Sequence, residues 1–204
     1  MKLLVIDTET GGLDPNECSL LTYAAVVWED GKVGETLGPI YVQEPTLHVT
    51  LEAMRVNKID LCDTSLPWAP VADGSATLPL KRFAAKHFKG SEGFMPCAGH
   101  NVGFDLRFFA RLYGLAHNGR MPFDHRALCT IAILRFLVAT GHVDEQKLGT
   151  YKLQSAMDYF GIVGVDGSTV QRHGCLEDAL AAAHLLTRLW EMVGPRMGAV
   201  AGAA

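Results

Sequence analysis

A strand that is apolar on both faces and ends in two acids opens this chain. Lys2-Leu-Leu-Val-Ile6 runs directly into Asp7-Thr8-Glu9-Thr10-Gly11-Gly12. Side chains alternate faces along a strand, so Asp7 and Glu9, two residues apart, point to the same side. Two carboxylates held together repel, and the repulsion has to be answered by a cation, a shared proton or water. A strand apolar on both faces also has to be covered on both faces, which places it inside a sheet with layers above and below.

The rest of the pattern supplies those layers. Leu20–Trp28 is a second run apolar on both faces, the Asp30-Gly31 turn signal follows, and Val33–Val42 returns as one or two further strands. Thr50 is an N-cap candidate for a short helix reaching toward Asp60, whereas residues 62–77, with their prolines and Asp-Gly, read as loop. Leu78–Phe88 places Leu80, Phe83, Ala84 and His87 on one helical face, and Phe94–Asn101 reads as a short strand feeding a helix that carries Phe104, Phe108 and Leu112. Residues 128–140, 152–160 and 176–193 have helical period throughout. Strands first, then helices alternating with single short strands, predict an α/β fold with a mixed sheet.

Composition narrows the class. The chain has 204 residues, 49% of them hydrophobic, enough for one sizeable core; we expect one domain over 1–197 and a frayed small-residue tail over 198–204. No apolar run reaches membrane-spanning length and no basic leader opens the chain, so a cytoplasmic or nucleoid location and no membrane partner are expected. The five cysteines are scattered without a C-x-x-C pair and are expected as free thiols. The formal net charge of -4 provides no global basic field of the kind that holds proteins on duplex DNA, so any nucleic-acid role has to rest on a local site and bound metal.

Two further acids share the logic of the first pair. Asp105 stands among Phe104 and Phe108, and Asp178 shares a helical face with Ala182, Leu185 and Leu189 and points inward, whereas Glu177 turns to solvent. Each alone could be an ordinary first-turn helix acid stabilised by the helix dipole. His173 precedes Asp178 by five residues, next to Gly174. Four carboxylates brought together form an oxygen-rich set suited to two hard divalent cations, Mg²⁺ or Mn²⁺, rather than zinc. Two such ions stabilise the attacking and leaving oxygens of an in-line phosphodiester displacement.

The stretches "DTETGGLDP", "HNVGFDLRFF" and "HGCLEDA" resemble, in order and spacing, the three motifs of the DEDDh 3'-to-5' exonuclease family, which includes bacterial proofreading subunits and ribonuclease T. The likeness extends over Lys2–Val193, with "EAMRVNKID" and "YKLQSAMDYFGI" similar to two of the family's helices. It implies a ribonuclease H-like fold with three antiparallel N-terminal strands, short parallel strands and flanking helices. It also implies a metal-dependent enzyme that hydrolyses phosphodiester bonds from the 3' end of single-stranded or frayed nucleic acid, DNA favoured, and releases nucleoside monophosphates. The residues carried over are Asp7, Glu9 and Asp178 as metal ligands, Asp105 as a fourth catalytic acid and His173 as general base. Thr8, Thr10, Gly11, Leu13, Met54, Asn57, His100 and Asn101 are expected along the substrate, with the glycines bringing backbone close to the terminal sugar. Family members often carry a second threonine where Gly11 stands, which removes one hydroxyl contact.

Alternatives of the same resemblance are a ribonuclease T-like or oligoribonuclease-like activity on RNA, and a proofreading subunit held by a DNA polymerase. Self-pairing as a homodimer is the other partnership the family offers. An aspartyl phosphotransferase would also place an acid at a strand end, but no lysine is suitably placed and His173–Asp178 would go unexplained.

Overall fold

The two doubly apolar runs decide the layering. In the computed structural model, which describes residues 1–90, 93–116, 121–163 and 174–193, they become β1 (Lys2–Thr10) and β2 (Leu20–Glu29), paired antiparallel with Asp7 opposite Ala24 and Glu9 opposite Thr22. The chain turns at Asp30-Gly31 and returns as one long strand, β3 (Lys32–Gln43), antiparallel to β2. The short strands are β4 (Ala69–Pro70), β5 (Cys97–Gly99) and β6 (Leu128–Cys129). The sheet order is β4-β3-β2-β1-β5-β6, with β5 parallel to β1, β6 parallel to β5 and β4 parallel to β3. This mixed sheet is the α/β, ribonuclease H-like architecture the sequence predicts.

Helices cover both faces. They are α1 (Leu51–Asn57), α2 (Leu78–His87), α3 (Gly103–Leu115), α4 (Thr130–Ala139), α5 (Glu145–Leu148), α6 (Leu153–Phe160) and α7 (Cys175–Val193). Leu4 and Ile6 of β1 join Leu80, Phe83, Phe108, Phe109 and Leu112 in a core on the α2–α3 side. Leu3 and Val5 join Trp28, Leu134, Ala182, Leu185 and Leu189 on the α4–α7 side. The period of two along β1 thus distributes its side chains between two separate cores.

Three elements differ from the sequence reading. Leu128 and Cys129 pair with Ala98 and Gly99 as β6 before the helix begins at Thr130, because that apolar run meets an open sheet edge. Ala69–Pro70, expected as loop, pairs with Val42 and Gln43. The unexpected α5 is capped by Asp144, whose carboxylate accepts from the amides of Gln146 and Lys147. The cysteines are free thiols, as expected. Among the described residues no helix is long and apolar enough to cross a membrane. His173 and the tail over 198–204 lie outside the described residues.

Candidate active site

β1 and β5 run parallel, and beyond their carboxyl ends the sheet opens into a cleft, the usual place for a ligand in an open α/β sheet. Asp7 and Glu9 come from the last turns of β1's pleat, and Asp178 from the first turn of α7, where Ala179, Ala182 and Leu185 bury the same helix face. One oxygen from each of these three carboxylates lies within 4.8 Å of the others. Glu177 is exposed, as its helix position requires.

Asp105 approaches from the other side. It is buried on α3, and Thr8 Oγ1, on the opposite face of β1 from Asp7, donates to its Oδ1 at 2.6 Å. Thr8, expected at the substrate, is therefore committed to an acid of the site. All four acids line one cleft of about 460 Å³, together with His100, Asn101, Phe104, Ile131, Tyr151 and Lys152.

The electrostatics are those of a site built for positive charge. Burial, then the charges of Asp105, Asp178 and Glu9, holds Asp7 well above the ordinary carboxylate range. Burial and Asp178 push Glu9 up to about 8, and burial pushes Asp105 up to about 7 against the lowering effect of the Thr8 hydrogen bond. Unassisted, such a cluster retains protons near neutrality; a hard cation replaces them and removes the repulsion. The donor set, all carboxylate oxygen, fits Mg²⁺ or Mn²⁺.

Next to the acids lies a second hollow of about 510 Å³, lined by Glu9, Thr10, Gly12, Leu13, Thr50, Ala53, Val56, Asn57 and Phe104 among others. It is of the size that takes a small ligand. Leu13 is 82% exposed at its rim.

The glycines also pack against their own chain. A Cβ on Gly11 would lie 2.2 Å from the His48 carbonyl oxygen, and one on Gly12 would lie 2.4 Å from Cys18 Sγ. Both are buried against their own chain, and at Gly11 the packing between the end of β1 and residues 48–50 leaves no room for a side chain. The Gly11 amide donates to Ser19 O at 2.8 Å and its carbonyl accepts from Thr50 N at 2.6 Å.

Other expected substrate residues have structural duties. Asn57 Nδ2 donates to Thr10 O at 3.2 Å and its Oδ1 accepts from Ile59 N, while Thr10 Oγ1 donates to Gly12 O at 2.7 Å. Met54 is half-buried on α1, its carbonyl accepting from Lys58 N. His100 Nε2 donates to Tyr151 O and Nδ1 accepts from Thr130 Oγ1, both at 2.9 Å; burial lowers the imidazole's pKa and favours this neutral form. Asn101, exposed at the cleft with φ 69°, adopts the left-handed backbone that asparagine tolerates better than most residues.

Sequence reasoning missed Tyr151, Lys152 and Ile131 in the cleft, and the pair Glu44 and Arg111 behind the glycine loop. Arg111 interrupts the apolar face of α3 one position before buried Leu112, and a charge there was the available signal.

Several solved structures share this fold. Escherichia coli exonuclease I in complex with a 5cy-dT13 oligonucleotide superposes with a TM-score of 0.69 at 17% identity over 96% of this chain. The zinc-bound form of the E. coli exonuclease I–single-stranded DNA complex gives 0.65 at 18% identity. Exonuclease X in complex with 5' overhanging duplex DNA gives 0.59 at 22% identity, covering 95% of this chain and 93% of that one. The chain spans 42% of the length of the exonuclease I chain in the 5cy-dT13 complex. No protein-family model and no curated protein matches the sequence.

Proposed function

We propose that this chain is a metal-dependent 3'-to-5' exonuclease that removes nucleoside monophosphates from single-stranded or frayed 3' ends, with DNA as the favoured substrate. The observation that carries the reading is the convergence of Asp7, Glu9 and Asp178 within 4.8 Å, in a cleft also lined by Asp105 and adjoining a hollow of nucleotide size. The DNA complexes of exonuclease I and exonuclease X, which share the fold, support DNA over RNA.

Asp7, Glu9 and Asp178 would hold one divalent cation, and Asp7 with Asp105 a second. When bound, the two ions supply charge stabilisation for an in-line displacement at the scissile phosphate. The chain itself does the positioning. Thr8 fixes the Asp105 carboxylate, and the strand pleat aims Asp7 and Glu9 into the cleft. Leu13, Thr10 and Phe104 receive the terminal nucleotide, with Leu13 against its base. His173, outside the described residues, takes the proton from the attacking water, a task suited to an imidazole pKa of ~6.5.

The test uses matched 3'-labelled DNA and RNA oligomers, single and double stranded, with Mg²⁺, Mn²⁺ or chelator, resolved by product length. Stepwise shortening from the 3' end that stops with chelator, and is lost in Asp7→Ala and His173→Ala, is the expected result. Near-full degradation by either variant would overturn the site. Faster shortening of RNA would redirect the reading toward a ribonuclease T-like or oligoribonuclease-like enzyme. Activity that requires an added polymerase would make partner binding part of the function.

A further inference from the structure

The loop that carries Leu13 is anchored from behind by a buried ion pair. Glu44, just past β3, has a side chain only 1% exposed, and Arg111 of α3 reaches it with two hydrogen bonds, Nη2 to Oε2 at 2.7 Å and Nε to Oε1 at 3.1 Å. The third guanidinium nitrogen, Nη1, donates to Pro15 O at 3.0 Å, inside the loop itself. Glu44 also accepts from Ser19 Oγ at 2.9 Å and from Leu20 N at 3.2 Å. Ser19 in turn exchanges hydrogen bonds with His48, accepting its amide on Oγ and donating its own amide to the His48 carbonyl, both at 2.9 Å. Ser19 O then accepts the Gly11 amide, and Thr50, whose side chain caps α1, donates to Gly11 O.

These bonds join α3, which bears Phe104 and Asp105, to both walls of the hollow beside the acids: the 10–18 loop and α1. A bidentate guanidinium–carboxylate pair is geometrically rigid in a way a lysine cannot copy. Burying it is costly, and a hydrophobic pair would fill the same space at no loss of stability. The hydrogen bonds to Pro15, Ser19 and Leu20 give it a directional task that a hydrophobic pair could not perform.

We propose that Arg111 and Glu44 are positioning residues that set the width of the terminal-nucleotide pocket, by fixing the Leu13 loop and α1 against Phe104. This rests on the exonuclease reading above. With the anchor in place the pocket is formed before substrate arrives, so binding does not have to order the loop. Without it the ground state and the transition state lose the same contact, and the loss falls on KM rather than on kcat.

The test compares wild type, Arg111→Lys and the double variant Glu44→Gln/Arg111→Met, in which both charges are gone while the amide still serves Ser19 and Leu20. Steady-state kinetics on 3'-labelled single-stranded DNA, inhibition by thymidine 5'-monophosphate, Mg²⁺ half-saturation and thermal melting are measured for each. KM and the inhibition constant are expected to rise together by about tenfold in the double variant and less in Arg111→Lys, with kcat within about threefold and the Mg²⁺ dependence unchanged. A lowered melting temperature with unchanged KM and inhibition constant would show a purely structural pair and overturn the proposal. So would a fall in kcat accompanied by a shifted Mg²⁺ dependence. If the double variant does not fold, Arg111→Lys decides by the same two constants. Wild-type protein that releases no mononucleotides would instead overturn the exonuclease reading, whereas active wild type with unmoved variants overturns this inference alone.

Discussion

The acidic cleft and the hollow beside it share Thr8, Glu9 and Phe104, yet they are built on opposite terms. The cleft gathers carboxylates that burial and mutual charge push up to about 7 and about 8 at Asp105 and Glu9, so it works against the folded state unless something positive enters. The hollow is walled by close backbone packing at Gly11 and by a satisfied network around Glu44. One region holds unspent electrostatic strain, the other holds shape. Chemistry is expected from the first and selectivity from the second.

The sharpest way to separate them is to remove one carboxylate. Glu9→Gln is expected to lower activity by roughly 10³-fold, because a charged oxygen of the site is lost. The same change is expected to raise the melting temperature of the metal-free protein, because the folded chain no longer has to hold a proton on, or a charge at, a buried carboxyl whose pKa is pushed up to about 8. Activity assays alongside melting curves in chelator would detect both, and a metal-free protein destabilised by Glu9→Gln would break the comparison.

Gly11→Ala probes the other region. With its new Cβ placed 2.2 Å from the His48 carbonyl, the strand end or residues 48–50 must shift, at a cost of about 2–4 kcal/mol by denaturant titration. Unlike Glu9→Gln, it is expected to lower stability whether or not Mg²⁺ is present.

A smaller effect concerns pH. Glu9 is raised from an ordinary 4.5 to about 8 and Asp105 from 3.8 to about 7, so the folded metal-free protein binds more protons than the unfolded chain between those values. The stability this gives is fully present below pH ~4 and is lost as pH rises through 7 and 8. The melting temperature in chelator is expected to fall by roughly 5 °C between pH 5.5 and 8.5, and Mg²⁺ is expected to flatten that slope. A flat profile in chelator would count against the buried cluster.

The smallest expected effect links the two faces of β1. Thr8→Val removes one hydrogen bond to Asp105 and costs about 1 kcal/mol of stability. Because that bond lowers the Asp105 pKa, the acid limb of the pH–rate profile is expected to move upward. An unmoved limb would mean that Thr8 only packs.

The sequence by itself determined the long strands and helices, though not β4, β6 or α5, and the same-side geometry of Asp7 and Glu9, since these follow from local periods of 2 and 3.6 residues. It likewise placed Asp178 inward and Glu177 outward on α7. It could not say that Asp105 comes from the far side of the sheet and meets Thr8, 97 residues earlier in the chain. Nor could it say that Gly11 is small because of His48, or that Glu44 and Arg111, 67 residues apart, share a buried bond. Local spacing reports which face a residue takes within its own element, because that depends on backbone geometry alone. Which residue it meets there depends on how the elements cross, and only the tertiary structure decided that.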